Sequence, residues 1–105
     1  MSAEGRRSPR VLLKLSVLIE DPPPACPART AVVNRQGAML LSPRPYALGS
    51  ELLLRHLEWE GSARFNVVWD GGTDEAGSHK IGIEMLEAWP DFWGPEYEKA
   101  VRAGA

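Results

Sequence analysis

Val11-Leu12-Leu13-Lys14-Leu15-Ser16-Val17-Leu18-Ile19-Glu20 is the stretch on which the fold turns. Val11, Leu13, Leu15, Val17 and Ile19 alternate with Leu12, Lys14, Ser16, Leu18 and Glu20, the period of two expected of one long strand with a buried face. Asp21-Pro22-Pro23-Pro24-Ala25-Cys26-Pro27 ends that strand, because its prolines remove ladder donors and impose extended or turn geometry.

Further along the chain, Arg29 to Val33 and Ala38 to Leu41 read as two short strands. Asn34-Arg35-Gln36-Gly37 joins them as a hairpin turn, Asn and Gly being the residues that tolerate positive φ. Glu51 to Trp59 is apolar-rich without clean alternation and reads as a bulged or sheet-switching strand. Ala63, Phe65, Val67 and Trp69 then alternate with Arg64, Asn66, Val68 and Asp70, a second strongly periodic strand. Asp70 to Gly77 is rich in glycine and acid and reads as a loop, followed by a last strand in which Ile81, Ile83 and Met85 alternate with Gly82 and Glu84. Pro90 to Gly94 suggests one helical turn, and Pro95-Glu96 opens a short helix with proline first and an acid in the first turn. Trp93, Tyr97 and Val101 are spaced four apart and share a face, which is expected to cover an open end or edge of the sheet. Strands at this spacing, each ended by Gly, Pro, Asn or Asp, predict an all-β fold: a small six-stranded antiparallel β-barrel with a short C-terminal helix.

The 105 residues suit a single domain. Residues 1–10 are polar, contain Gly5 and Pro9, and are expected to form a mobile arginine-containing arm, with residues 11–105 as the barrel domain. With 44% hydrophobic and 25% charged residues and a net charge of −2, the chain reads as globular and not as a general binder of DNA or RNA, which carries a basic excess. A locally basic N-terminus on a mildly acidic whole fits a small anionic ligand better. Cys26 is the single cysteine, so no internal disulfide forms and a reducing cytoplasm is the expected location. No apolar run is long enough to suggest export or membrane insertion.

Candidate chemistry is concentrated in arginines. Arg6, Arg7 and Arg10 fall within five residues at the mouth of the first strand, and guanidinium groups grip phosphate oxygens and the O6/N7 edge of guanine bidentately. His56 and His79 lack metal partners at ligand spacing, and the Asp70, Asp74, Glu75 loop lacks a calcium-loop ligand set. No serine carries a base at motif spacing, so no enzyme, metal or cofactor is expected. Trp59, Trp69, Trp89 and Trp93 read as core and helix packing, the usual place for large aromatics in a small barrel.

These elements resemble, over essentially the whole chain, the PilZ domain of bacteria. The family's first motif, Arg-x-x-x-Arg before the first barrel strand, is matched by Arg6-Arg7-Ser8-Pro9-Arg10. Its second, Asp/Asn-x-Ser-x-x-Gly at the next hairpin, falls on Val32-Val33-Asn34-Arg35-Gln36-Gly37, where only Gly37 is kept. Trp69, the glycine-rich loop and Ile81-Gly82-Ile83-Glu84 resemble the last hairpin. The resemblance implies a six-stranded PilZ-like barrel and a receptor for the second messenger cyclic di-GMP, taken up singly or as a stacked dimer. Arg6, Arg7, Arg10, Asn34 and Gly37 are its implied ligand-binding residues, and a partner protein reads the change when the arm orders. Val32 offers no polar atom where the family has Asp or Asn, which admits the alternative of a PilZ-like scaffold that binds no nucleotide and acts only through protein contacts.

Overall fold

The computed structural model describes residues 10–58, 61–87, 89 and 91–104. Arg6, Arg7 and Trp59 lie outside the described residues. Seven strands and one helix follow in order: β1 (Val11–Leu12), β2 (Ser16–Asp21), β3 (Cys26–Asn34), β4 (Gly37–Ser42), β5 (Glu51–His56), β6 (Ser62–Thr73), β7 (His79–Met85) and α1 (Pro95–Gly104). Six of the strands, in the order β3-β2-β5-β6-β7-β4, form an antiparallel sheet that closes by pairing β3 with β4, while β1 adds to β3 as an extra strand. Closure removes the exposed sheet edges that a small open sheet would leave.

The alternation read from residues 11 to 20 survives, but the single strand does not. Between β1 and β2 the backbone leaves the ladder at Leu13 to Leu15, and the side chain of Thr30 fills the gap. Its hydroxyl donates to the Leu13 carbonyl at 2.6 Å and accepts from the Leu15 N–H at 2.8 Å. A buried threonine thereby satisfies two backbone groups that the bulge would otherwise orphan. β3 bulges at the same place, its register on β4 shifting between Thr30 and Val32. One extra residue moves alternate side chains to the opposite face: Cys26 and Thr30 are buried before the shift, and Val33 after it, so Val32 and Asn34 belong to the outer wall.

Three other boundaries differ from expectation. β3 begins at Cys26, not Arg29, because Pro27 lies where β3 has only β2 beside it, an edge position that tolerates proline. β5 ends at His56 and alternates cleanly, with Leu52, Leu54 and His56 buried. β6 runs on through Asp70-Gly71-Gly72-Thr73, which is ladder and not loop, paired with β7 as far as Thr73 and His79 through two register shifts. The glycines there allow the bulges that bend a long hairpin.

Val17, Ile19, Leu40, Leu52, Leu54, Phe65, Val67, Ile81 and Ile83 point inward and fill the lumen. One end is stoppered by the segment leading into α1. Phe92 and Trp93 stand 5.5 and 5.8 Å from the Phe65 ring, centroid to centroid, and 4.9 Å from each other. Tyr97 is buried and Val101 partly buried on the packed face of α1, while Trp93, also buried, lies in the turn before the helix and not on it. Each such aromatic contributes about 1.5–3 kcal/mol through burial, and each ring pair roughly 0.5–1.5 kcal/mol more.

Candidate binding site on the outer wall

With the lumen filled, a cavity that could hold a ligand lies on the outer wall, across β3, β4, β7 and β6, with a volume of about 520 Å³. Strand register organises it into two rows. In one, Leu12, Val32, Met39, Gly82 and Trp69 follow one another across five strands. In the other, Asn34, Gly37 and Glu84 are successive partners. Residues two apart on a strand share a face, so both rows lie on the outer wall, the first apolar and the second polar. Arg10, exposed just before β1, lines the same cavity as Asn34 and Gly37. Three sequence-selected residues, two of them 24 or more positions from Arg10, are thus brought together.

The turn between β3 and β4 is built differently from the expectation. Among the described residues only glycines have positive φ, and Gly37 is not one of them. Asn34 holds the turn through its side chain, its Oδ1 accepting the N–H groups of Gln36 at 2.9 Å and Gly37 at 2.7 Å. This is an Asx-type turn, and it commits the carboxamide oxygen, leaving the amide NH2 as the group Asn34 can offer. Gly37 is required for a packing reason: a Cβ there would lie 2.1 Å from the Ile83 carbonyl oxygen of β7.

Trp69, which the sequence suggested to be core, is 47% exposed and lines the cavity. Its indole occupies the space above two glycines. A Cβ on Gly71 would stand 2.1 Å from its Cη2, and one on Gly82 2.8 Å from its Cβ. Gly71 and Gly82 therefore let an aromatic ring lie close to the wall where it can meet a planar ligand. Uninterrupted period-two reading puts Trp69 on the face of Phe65 and Val67; the register shift between Val67 and Trp69 carries it outward, and no local signal marks that shift.

Arg35 turns away from the cavity toward α1, its Nη1 standing 3.5 Å from Glu98 Oε2 and its guanidinium 5.6 Å from the Tyr97 ring centroid. Met85 N–H donates to the Gln36 carbonyl at 2.7 Å, so the turn is also tied to the end of β7. His56 is buried, and its Nδ1 accepts the Glu58 N–H at 3.1 Å. Burial lowers its pKa below the ordinary 6.5, opposed in part by the nearby Glu58. Asp74 accepts the N–H groups of Ala76 and Ser78, which gives that acid a turn-forming role. Among the described residues no three His, Cys, Asp or Glu side chains cluster to hold a metal, and no helix is long and apolar enough to cross a membrane.

A closed six-stranded antiparallel barrel with one extra strand and a short C-terminal helix defines the structural class. In that class the chain is similar to the inhibitor of motility MotI/DgrA of Bacillus subtilis, with a TM-score of 0.70 and 14% identity over 94% of this chain. The likeness covers 50% of that protein, so the present chain spans about half its length. No family model and no curated protein sequence matches the chain.

Proposed function

We propose that this chain is a non-enzymatic, PilZ-like receptor for cyclic di-GMP that signals to a partner protein. The observation that carries the proposal is the convergence of Arg10 with Asn34 and Gly37 on one cavity beside an exposed Trp69. At about 520 Å³ the cavity is within the usual range for small-molecule sites. Arg10, joined on binding by Arg6 and Arg7, supplies bidentate contacts to phosphate or to the guanine O6/N7 edge, and Trp69 supplies a face for a base. The segment that carries the arginines closes over the ligand and alters the surface offered to the partner, an order-on-binding switch. Likeness in fold to an inhibitor of motility fits a regulatory role without catalysis.

Isothermal titration calorimetry with cyclic di-GMP at low and moderate salt, alongside an Arg6→Ala, Arg10→Ala double variant, tests this. Low-micromolar binding that survives salt and vanishes in the variant is the expected result. Absence of heat and of any thermal shift at high ligand concentration overturns it.

One observation favours a second use of the same wall. The row from Leu12, 85% exposed, through Val32 and Met39 to Trp69 is apolar throughout, and Val32 lacks the polar group of the second motif. A nucleotide-independent scaffold would use this row to dock a protein, and would show partner binding that is indifferent to cyclic di-GMP.

A further inference from the structure

We propose that Glu84 selects the base, its carboxylate accepting the N1–H and N2–H of guanine so that the site takes guanine and rejects adenine. The proposal deepens the receptor assignment above and rests on it.

The polar row of the cavity has little to offer the donor edge of a guanine. Val32 has no polar side-chain atom, and the Asn34 oxygen is occupied by two N–H groups of its own turn. Arg10 only donates. Among the described residues lining the cavity Glu84 contributes the one carboxylate, and it is exposed on the outer face of β7 directly across from Gly37. Its carboxylate enters no hydrogen bond or ion pair among the described residues.

Position and chemistry then agree. Gly82, the partner of Trp69, precedes Glu84 by two residues on the same face, which places the two Cα atoms roughly 7 Å apart along a strand. A purine lying against Trp69 spans that interval and presents its edge to Glu84. Guanine offers two adjacent donors, N1–H and N2–H, which match the two carboxylate oxygens as a bidentate pair. Adenine offers the N6 amino donor beside N1, an acceptor, so one carboxylate oxygen would face a lone pair. A carboxylate near a dianionic ligand is unfavourable unless it is used in this way, with Arg10 as counter-charge.

The test compares cyclic di-GMP with cyclic di-AMP on the wild-type chain and on Glu84→Gln by calorimetry, with circular dichroism melts to show that the exposed substitution leaves folding intact. Glutamine is isosteric and uncharged, with one acceptor in place of two. The expected result is a loss of tenfold or more in cyclic di-GMP affinity in Glu84→Gln, with cyclic di-AMP, the weaker ligand of the wild type, unchanged or improved. Equal cyclic di-GMP affinity in the two proteins, or a parallel loss for both dinucleotides, overturns the role of Glu84 while leaving the receptor assignment standing. A wild-type chain that binds neither dinucleotide overturns both.

Discussion

Arg35 and Glu98, 63 positions apart, meet at 3.5 Å, and the same guanidinium stands 5.6 Å from the ring of Tyr97. The turn that carries Asn34 and Gly37 is thereby fastened to α1. Both charged side chains are more than a third exposed, so the ion pair contributes at most about 1 kcal/mol, and the cation–π contact a further 0.5–1 kcal/mol or so. Arg35→Ala is expected to lower stability by roughly 1–2 kcal/mol in urea titrations and to speed amide exchange in residues 95–104. Glu98→Ala should cost less, since the Tyr97 contact remains.

Gly37→Ala tests the packing account of the second-motif glycine. The added methyl would be driven toward the Ile83 carbonyl of β7, prying β4 from β7, at a cost of about 1–3 kcal/mol in equilibrium unfolding. A neutral result would mean that the glycine serves something other than strand approach.

Trp69→Ala should separate binding from folding. The indole is half exposed, so its loss should destabilise the fold by only about 1 kcal/mol. Removing a stacking face, by contrast, weakens ligand binding by about 1–3 kcal/mol per base. Calorimetry and thermal melts on the same preparation distinguish the two, and Trp69→Phe should recover most of the affinity.

Thr30→Val keeps the shape of the side chain and deletes its hydroxyl, leaving the Leu13 carbonyl and the Leu15 N–H without their bridge. Each unsatisfied group costs about 1–3 kcal/mol, which makes this the most damaging conservative change expected in the barrel wall. Chemical denaturation reads it directly.

His56 sets a pH dependence. Its folded-state pKa is lowered by burial, so the unfolded chain binds more protons between that value and the ordinary 6.5. Its contribution to stability is therefore complete above pH 6.5 and is lost as the pH falls through the lowered folded value. Urea midpoints measured from pH 7.5 down to 5.5 should decline in the wild type and flatten in His56→Phe.

The barrel was legible in the sequence because period-two alternation and its punctuation by glycine and proline report directly on a half-buried strand. Residues 11 to 20 and 63 to 69 carry that signal strongly. Bulges were not legible: nothing local says that Ala31 is an extra residue opposite β4, or that Val68 shifts Trp69 outward. Those phase shifts are set by tertiary pairing, and they decide which residues reach the outer wall. The same limit hid His56, whose burial depends on Phe92 arriving from the far end of the chain to within 6.1 Å. Arg10, Asn34 and Gly37 were recognisable as a pattern, whereas Glu84 became visible only once β7 had been laid against β4.

Because the lumen is filled and the cavity opens on the outer face of the same strands, most side chains serve one or the other, with Ala38 and Ile83 bordering both. Asn34 and Gly37 answer to both, since they shape the turn and the strand approach that the cavity borders. Glu84, exposed and without a hydrogen bond among the described residues, answers only to the outside, so what the wall recognises can be altered there while the architecture endures. Specificity in such a domain is free to change far faster than shape.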